Sequence, residues 1–321
     1  MHYDVFNGDA DGVIALLQLR LAQPKPSRLI SGVKRDIALL KQVVGQDSIT
    51  SVTVLDVSME TNQIALRTLL EAGVAVFYCD HHRAGHIPES ELLESLLCMD
   101  ADTCTSLLIN EKLEGRYVHW AIAAAFGDNL HASAQVLADK YGVNESDQAF
   151  LRQLGTLINY NAYGASLRDL HIPPVQLYQQ LLAYRDPFAL RTDPNSPYFI
   201  LHEGYQQDCR HLAALSPVTK TEYTRVFELP NAAWARRMSG VFSNQLANQI
   251  QNQAHAVLTL NPTESDYTVS VRAPLANREG ADEVCQQFFT GGGRRGAAGI
   301  NTLPLADKSK FIRTFCDYYD K

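Results

Sequence analysis

Tyr78-Cys79-Asp80-His81-His82-Arg83-Ala84-Gly85 follows directly on the apolar run Val74-Ala75-Val76-Phe77. The run reads as a β-strand, and the acid with two imidazoles stands where that strand leaves its sheet. In open α/β sheets, ligands bind outside this carboxyl edge. Asp-His-His alone describes a solvated surface cluster equally well, so its meaning depends on the neighbouring segments. Two upstream stretches repeat the pattern: Val5-Phe6-Asn7-Gly8-Asp9-Ala10-Asp11-Gly12 and Val52-Thr53-Val54-Leu55-Asp56-Val57-Ser58 both run apolar and stop at aspartate. Three consecutive strands would bring Asp9, Asp11, Asp56, Asp80, His81 and His82 to one rim.

Around these strand ends the pattern alternates. Strands are expected at 3–8, 28–30, 51–56 and 74–79, and helices at 12–22, 37–44 and 61–72, with Pro24 and Pro26 closing the first helix. Such alternation predicts βαβ units: an α/β fold with a parallel sheet and helices on both faces. A further short strand is expected at 96–99. Asp102 or Thr103 reads as the N-cap of a helix over 107–113, or that helix start faces a phosphate with its free amides. The apolar helix 118–126 ends at Gly127-Asp128-Asn129, where Asp128 is either a turn residue or a fourth acidic ligand. Two helical pieces over 147–183 are interrupted by Asn159-Tyr160-Asn161-Ala162-Tyr163-Gly164, read as a capped break or as a contact for a base or ribose. Residues 186–230 hold Pro187, Pro194, Pro197, Pro217 and Pro230 without sustained periodicity. They read as a connection carrying one helix near 203–214.

Beyond it, an amphipathic helix over 232–251, strands at 256–260 and 267–272 and a short helix at 281–289 lead to Gly291-Gly292-Gly293-Arg294-Arg295-Gly296-Ala297-Ala298-Gly299. Consecutive small residues let backbone approach a ligand, and exposed amides can form an anion-binding concavity. Arg294, Arg295 and Arg272 would add bidentate phosphate donors.

Composition narrows the function classes. The 321 residues are 46% apolar and 20% charged, which suits about two globular domains. No apolar run approaches the ~18 residues of a membrane span, and the opening residues enter a strand pattern without a leader-like stretch; a cytoplasmic location is expected. Six scattered cysteines without CxxC spacing read as reduced thiols. A net charge of −7 argues against a protein gripping long duplex nucleic acid. The imbalance is uneven: residues 1–230 carry 18 Lys+Arg against 27 Asp+Glu, and the remainder 10 against 8. An acidic part suits cations and a mildly basic part suits phosphate.

Taken together, Asp9-Ala10-Asp11-Gly12, Asp56, Asp80-His81-His82, Gly127-Asp128, Ser270-Val271-Arg272 and Gly291-Gly292-Gly293…Ala297-Ala298-Gly299 resemble, in order and spacing, the motifs of the DHH phosphoesterase superfamily with its C-terminal DHHA1 domain. This is the group of RecJ-type exonucleases and nanoRNases. The resemblance implies a metal-binding catalytic domain over 1–185, a connecting segment over 186–230, and a smaller substrate-binding α/β domain over 231–321, with the active-site cleft between the two domains. By position it implies Asp9, Asp11, Asp56, His81 and Asp128 as ligands of manganese, two ions being the family pattern and magnesium an alternative. His82 would act on the phosphate or on proton transfer, and Asp80 would orient a histidine. Arg272, Gly291, Gly292, Gly293, Arg294, Arg295 and Ala298 would hold a terminal phosphate or base.

Two positions depart from the family pattern. Val5 stands where a histidine is common, leaving Asn7 as a weak substitute ligand at one metal site, and Arg294 replaces a histidine after the glycines. The implied activity is a metal-dependent phosphodiesterase acting on short oligonucleotides or linear dinucleotides. A cyclic-dinucleotide, polyphosphate or phosphomonoester hydrolase is the alternative within enzymes, and a catalytically weak nucleotide-binding scaffold the alternative outside them. Homodimerisation is left open.

Overall fold

The computed structural model describes residues 1–320. They divide into two compact units: Met1–Ala162 with Ser166–Gly204, and Tyr163–Ala165 with Tyr205 onward. In the first unit the elements are β1 (His2–Phe6), α1 (Ala10–Ala22), β2 (Arg28–Ile30), β3 (Ser51–Leu55), α2 (Met59–Glu71), β4 (Ala75–Asp80), β5 (Leu93–Leu97), α3 (Thr105–Lys112), α4 (Val118–Gly127), α5 (His131–Lys140), α6 (Glu145–Asn161), α7 (Pro174–Leu181) and the first half of α8 (Pro197–Ala213).

All pairings in its sheet are parallel, in the order β2-β1-β3-β4-β5. The order reverses between β1 and β3, and a crevice opens at such a switch point. Strand alternation sends Tyr3, Val5, Val52, Val54, Val76 and Tyr78 into one core with Leu66 and Leu69 of α2. On α1, Val13, Ile14, Leu16 and Leu17 are fully buried. Glycine decides how closely α1, α4 and α6 approach. A Cβ on Gly127 would lie 2.6 Å from the Ala10 Cβ and 2.7 Å from the Gly155 carbonyl oxygen, and one on Gly155 would lie 1.9 Å from the Ala123 oxygen. This approach carries Asp128, the residue after α4, toward the start of α1.

Several local expectations shift. The helix expected over 37–44 is a single 3-10 turn, Leu40–Gln42. The Asn62 side chain from α2 holds that segment, accepting from Leu40 N at 3.2 Å and donating to Ile37 O at 2.7 Å. The strand expected at 96–99 is β5, a few residues earlier. The Asn/Tyr run closes a break: Asn161 accepts from the His171 and Ile172 amides and donates to Ile172 O at 2.7 Å.

The stretch 186–230 is not a connector. Residues up to Gly204 pack with the first unit and those from Tyr205 with the second, the division falling inside α8. Within it, β6 (Thr219–Lys220) and β7 (Thr224–Leu229) are strands of the second sheet. The β-branched and aromatic residues of Thr224-Arg225-Val226-Phe227-Glu228-Leu229 carried that signal, masked by the flanking Pro217 and Pro230.

The second unit continues with α9 (Ala233–Gln249), β8 (Ala254–Leu260), β9 (Asp266–Arg272), α10 (Ala281–Cys285), β10 (Gly291–Arg294), β11 (Ala297–Pro304) and α11 (Lys308–Tyr319). Its sheet runs β10-β11-β9-β8-β7-β6; β7 and β8 are parallel around the α9 crossover, and the other pairs are antiparallel. The core joins Val269, Val271 and Ile300 to Phe311 and Phe315 of α11. The glycine triplet, expected as an anion-cradling loop, is instead the edge strand β10, with Gly291 opposite Ile300 and Arg294 opposite Ala297. Gly293 has φ +144°, and a Cβ there would lie 2.5 Å from the Ala298 Cα, so the hairpin needs glycine at that point.

Candidate functional site

Three strand ends and one helix end of the first unit converge. Asp9 and Asp11 follow β1, Asp56 follows β3, Asp80 ends β4 with His81 and His82 just beyond it, and Asp128 follows α4. One ligand atom from each of Asp56, His81 and His82 lies within 4.8 Å of the others, and the same holds for Asp11, His81 and Asp128. His81 Nε2 is the common point, 3.5 Å from Asp56, 3.8 Å from Asp11 and 3.9 Å from Asp128. Its other nitrogen, Nδ1, lies 3.0 Å from the Thr103 carbonyl oxygen. A carbonyl only accepts, so Nδ1 carries a proton and Nε2 is the nitrogen turned to the carboxylates.

Each acid is positioned differently. Asp11, almost fully buried, accepts from Thr105 N at 2.8 Å and Ser106 N at 2.6 Å, the first two amides of α3. Those amides, expected to face a phosphate, are thus engaged by this chain's own carboxylate. The residue capping α3 is Cys104, not Asp102 or Thr103. Asp56 adopts a left-handed backbone, φ 57°, with its amide on the Cys79 carbonyl at 3.0 Å. For an aspartate this conformation costs about 1–3 kcal/mol and holds only where the surroundings impose it. Asp80 accepts from His82 Nδ1 at 2.7 Å, so the histidine it orients is His82; its other oxygen is buried without a partner among the described residues.

The electrostatics are those of a site short of positive charge. Burial, then the negative charges of Asp9, Asp11, Asp80 and Asp128, push the Asp56 carboxyl well above the usual range. Burial also raises Asp128, with Asp11 and Asp9 adding to it against the opposing charge of Lys34. Burial works against the charged form of His82, but its bond to Asp80 and the surrounding carboxylates prevail and raise it. Cys104, buried beside Asp11, has its thiol pushed up and stays protonated. A divalent cation fits this donor set: oxygen and imidazole ligands, a buried orphan oxygen, and carboxylates that otherwise take up protons.

The remaining candidates make other contacts. Asp9 caps α1, its Oδ1 accepting from Gly12 N at 3.1 Å, while Oδ2 lies 2.6 Å from Lys34 Nζ. Burial opposes ionisation of Asp9, but Lys34 lowers it to about 2. Asn7 accepts from Asp9 N at 3.2 Å and donates to Lys34 O at 3.3 Å. In the second unit Arg272 closes β9, next to the β10–β11 hairpin that carries Gly291, Gly292, Gly293, Arg294 and Ala298. The Arg272 guanidinium donates to Asn244 Oδ1 at 2.8 Å, and Arg295 pairs with Glu279 at 2.9 Å on the surface. Sequence reasoning missed Lys34, which no motif signals; Asn159 and Thr103 lie in stretches it read for other roles.

Solved structures match across almost the whole chain. A manganese-bound exonuclease RecJ superposes with TM-score 0.60 at 16% identity, covering 99% of this chain and 89% of that one. The chain has the RecJ fold. RecJ from Thermus thermophilus in complex with Mn2+ gives TM-score 0.59 at 16% identity over 99% of this chain, which spans about half (51%) of that protein. The pGpG-specific phosphodiesterase PggH of Vibrio cholerae gives TM-score 0.55 at 13% identity, covering 99% and 98% of the two chains. No family model matches the sequence, and no curated protein matches it. Among the described residues, no helix is long and apolar enough to cross a membrane.

Proposed function

We propose that this chain is a metal-dependent phosphodiesterase hydrolysing short oligonucleotides or linear dinucleotides. The observation that carries the reading is the convergence of Asp11, Asp56, His81, His82 and Asp128 at the switch point of the sheet. Asp11, Asp56, His81 and Asp128 hold the cation, manganese by preference and magnesium as a substitute. When bound, such an ion supplies Lewis acidity toward a phosphoryl oxygen and renders water nucleophilic near neutral pH.

The chain's own groups do the rest. Thr103 holds His81 in the tautomer that presents Nε2. Asp80 holds Nδ1 of the half-buried His82, leaving its Nε2 to carry a proton to the leaving oxygen. Its bond to Asp80 and the surrounding carboxylates raise the His82 pKa, which favours the protonated ring. In the second unit, Arg272, Arg294 and Arg295 with the Gly291–Gly293 and Ala298 backbone are the candidates for holding a terminal phosphate or base. The acidic balance of residues 1–230 supports a small substrate over a long polymer. The likeness to a pGpG-specific phosphodiesterase over nearly its full length supports the dinucleotide class.

The test is hydrolysis of a panel (pGpG, a longer RNA, single-stranded DNA, a cyclic dinucleotide and polyphosphate) with manganese, magnesium or chelator. Manganese-dependent loss of pGpG is expected. Turnover that survives chelation, or no turnover of any member, sinks the reading.

A further inference from the structure

Lys34 stands in the loop after β2, 25 residues from Asp9 in sequence, and its ammonium enters the acidic rim. Nζ is 2.6 Å from Asp9 Oδ2, 2.9 Å from Asn159 Oδ1 on α6 and 3.7 Å from Asp128 Oδ1. Together these acceptors engage an ammonium closely, and a carboxylate at 2.6 Å is a charge-assisted contact. The other Asp9 oxygen already serves the α1 amide of Gly12. Asp9 thus faces a fixed cation through Oδ2, and it belongs to neither of the two cation-competent groups at the rim.

Two further positions that could serve a second ion offer little. Val5 lies fully buried in the core with Leu40 and Val54, offering no donor where the resemblance places a histidine. Asn7 has its oxygen on the Asp9 amide. The set left over, Asp11, Asp56, His81 and Asp128 with His82 alongside, is centred on one nitrogen, His81 Nε2. Asp128 spans both halves, with Oδ1 toward Lys34 and Oδ2 toward His81.

We propose that the Lys34 ammonium occupies the place of a second divalent cation, so that the centre binds one metal ion and carries its other positive charge covalently. The inference rests on the metal-dependent reading above and states its stoichiometry. A fixed single charge neutralises Asp9 without any need for the missing imidazole. The Asn159 amide, buried on α6, holds the ammonium in register with the rim.

The test is titration of the chelator-stripped protein with Mn2+ alone, followed by calorimetry and by electron paramagnetic resonance. One ion per chain with an uncoupled six-line spectrum is expected; two tightly bound ions with an exchange-coupled spectrum overturn the proposal. No binding by folded protein would instead remove the metal-dependent reading itself. Asp9→Asn should keep one ion with affinity changed less than about tenfold, whereas Asp11→Asn should lose more than that. Loss of the ion in Asp9→Asn would make Asp9 a ligand and overturn the assignment. Lys34→Gln, checked for folding by circular dichroism, should take up more than one ion at excess Mn2+; unchanged stoichiometry and affinity would show that the lysine holds no cation position.

Discussion

Two buried aspartates of one sheet behave in opposite ways. Asp4, in the middle of β1, is fully buried and surrounded by partners: Arg20 through Nε at 2.9 Å and through Nη2, Ser27 at 2.6 Å, and His2 at 3.1 Å. Asp56, beyond the carboxyl end of β3, is equally buried but faces four other carboxylates. Burial alone would raise both. The Asp4 partners reverse that and lower it to about 2, whereas the neighbours of Asp56 add to it. A buried carboxylate contributes stability where its counter-charges are built in, and stores repulsion where the counter-charge must be bound.

The largest effect that would sharpen this contrast is on turnover. Asp56→Asn should reduce hydrolysis to the level of chelated protein while the metal-free form melts at a higher temperature. The sign follows from linkage: an acid with a raised folded pKa binds more protons folded than unfolded, so the metal-free wild type loses stability as pH rises above about 3.8. Manganese should abolish that loss. Thermal melts across pH with and without the ion check it, and a metal-free wild type whose stability is flat above that pH would break the comparison.

Next in size, His82→Ala should lower kcat by about 10²–10⁴-fold with manganese affinity little changed, because His82 handles a proton at the edge of the ligand set. Single-turnover rates alongside Mn2+ titration separate the two effects.

Within β1, Asp4→Asn should cost about 2 kcal/mol at neutral pH. Its folded pKa is depressed, so the contribution is complete above the unfolded value of 3.8 and fades as pH falls toward about 2. Denaturant unfolding of both proteins at pH 7 and pH 2.5 should show the gap closing, the reverse of the trend at Asp56.

The smallest expected effect lies in the second unit. Arg294 is exposed, and Arg294→Ala should raise KM for a short oligonucleotide by roughly tenfold or less at constant kcat, as for a contact equal in ground and transition states. A drop in kcat of the size seen at His82 would move Arg294 into the catalytic machinery.

Much of the rim was legible. Apolar runs ending at Asp9, Asp56 and Asp80 marked strand ends, and a parallel sheet requires such ends to share an edge. Asp128 was legible only as one of two readings, because its approach depends on the Gly127–Gly155 contact between helices. The glycine triplet carried a strong compositional signal of the wrong kind: small residues suit a cradle or a tight hairpin alike, and pairing with Ala297–Ile300 makes it the second.

The sequence by itself determined the chemical kind of the centre, oxygen and imidazole without thiolate, because residue identity sets ligand chemistry and alternation sets the edge at which it stands. Only the tertiary structure decided how the labour divides. Asp9 and Asp11 are two residues apart, yet one meets Lys34 from 25 residues away and the other the α3 amides from 94 residues away. Successive side chains at a strand end and helix start point in different directions, so the loops and helices arriving there select the partner of each. That selection sets Asp9 against a lysine and Asp11 against the first amides of a helix.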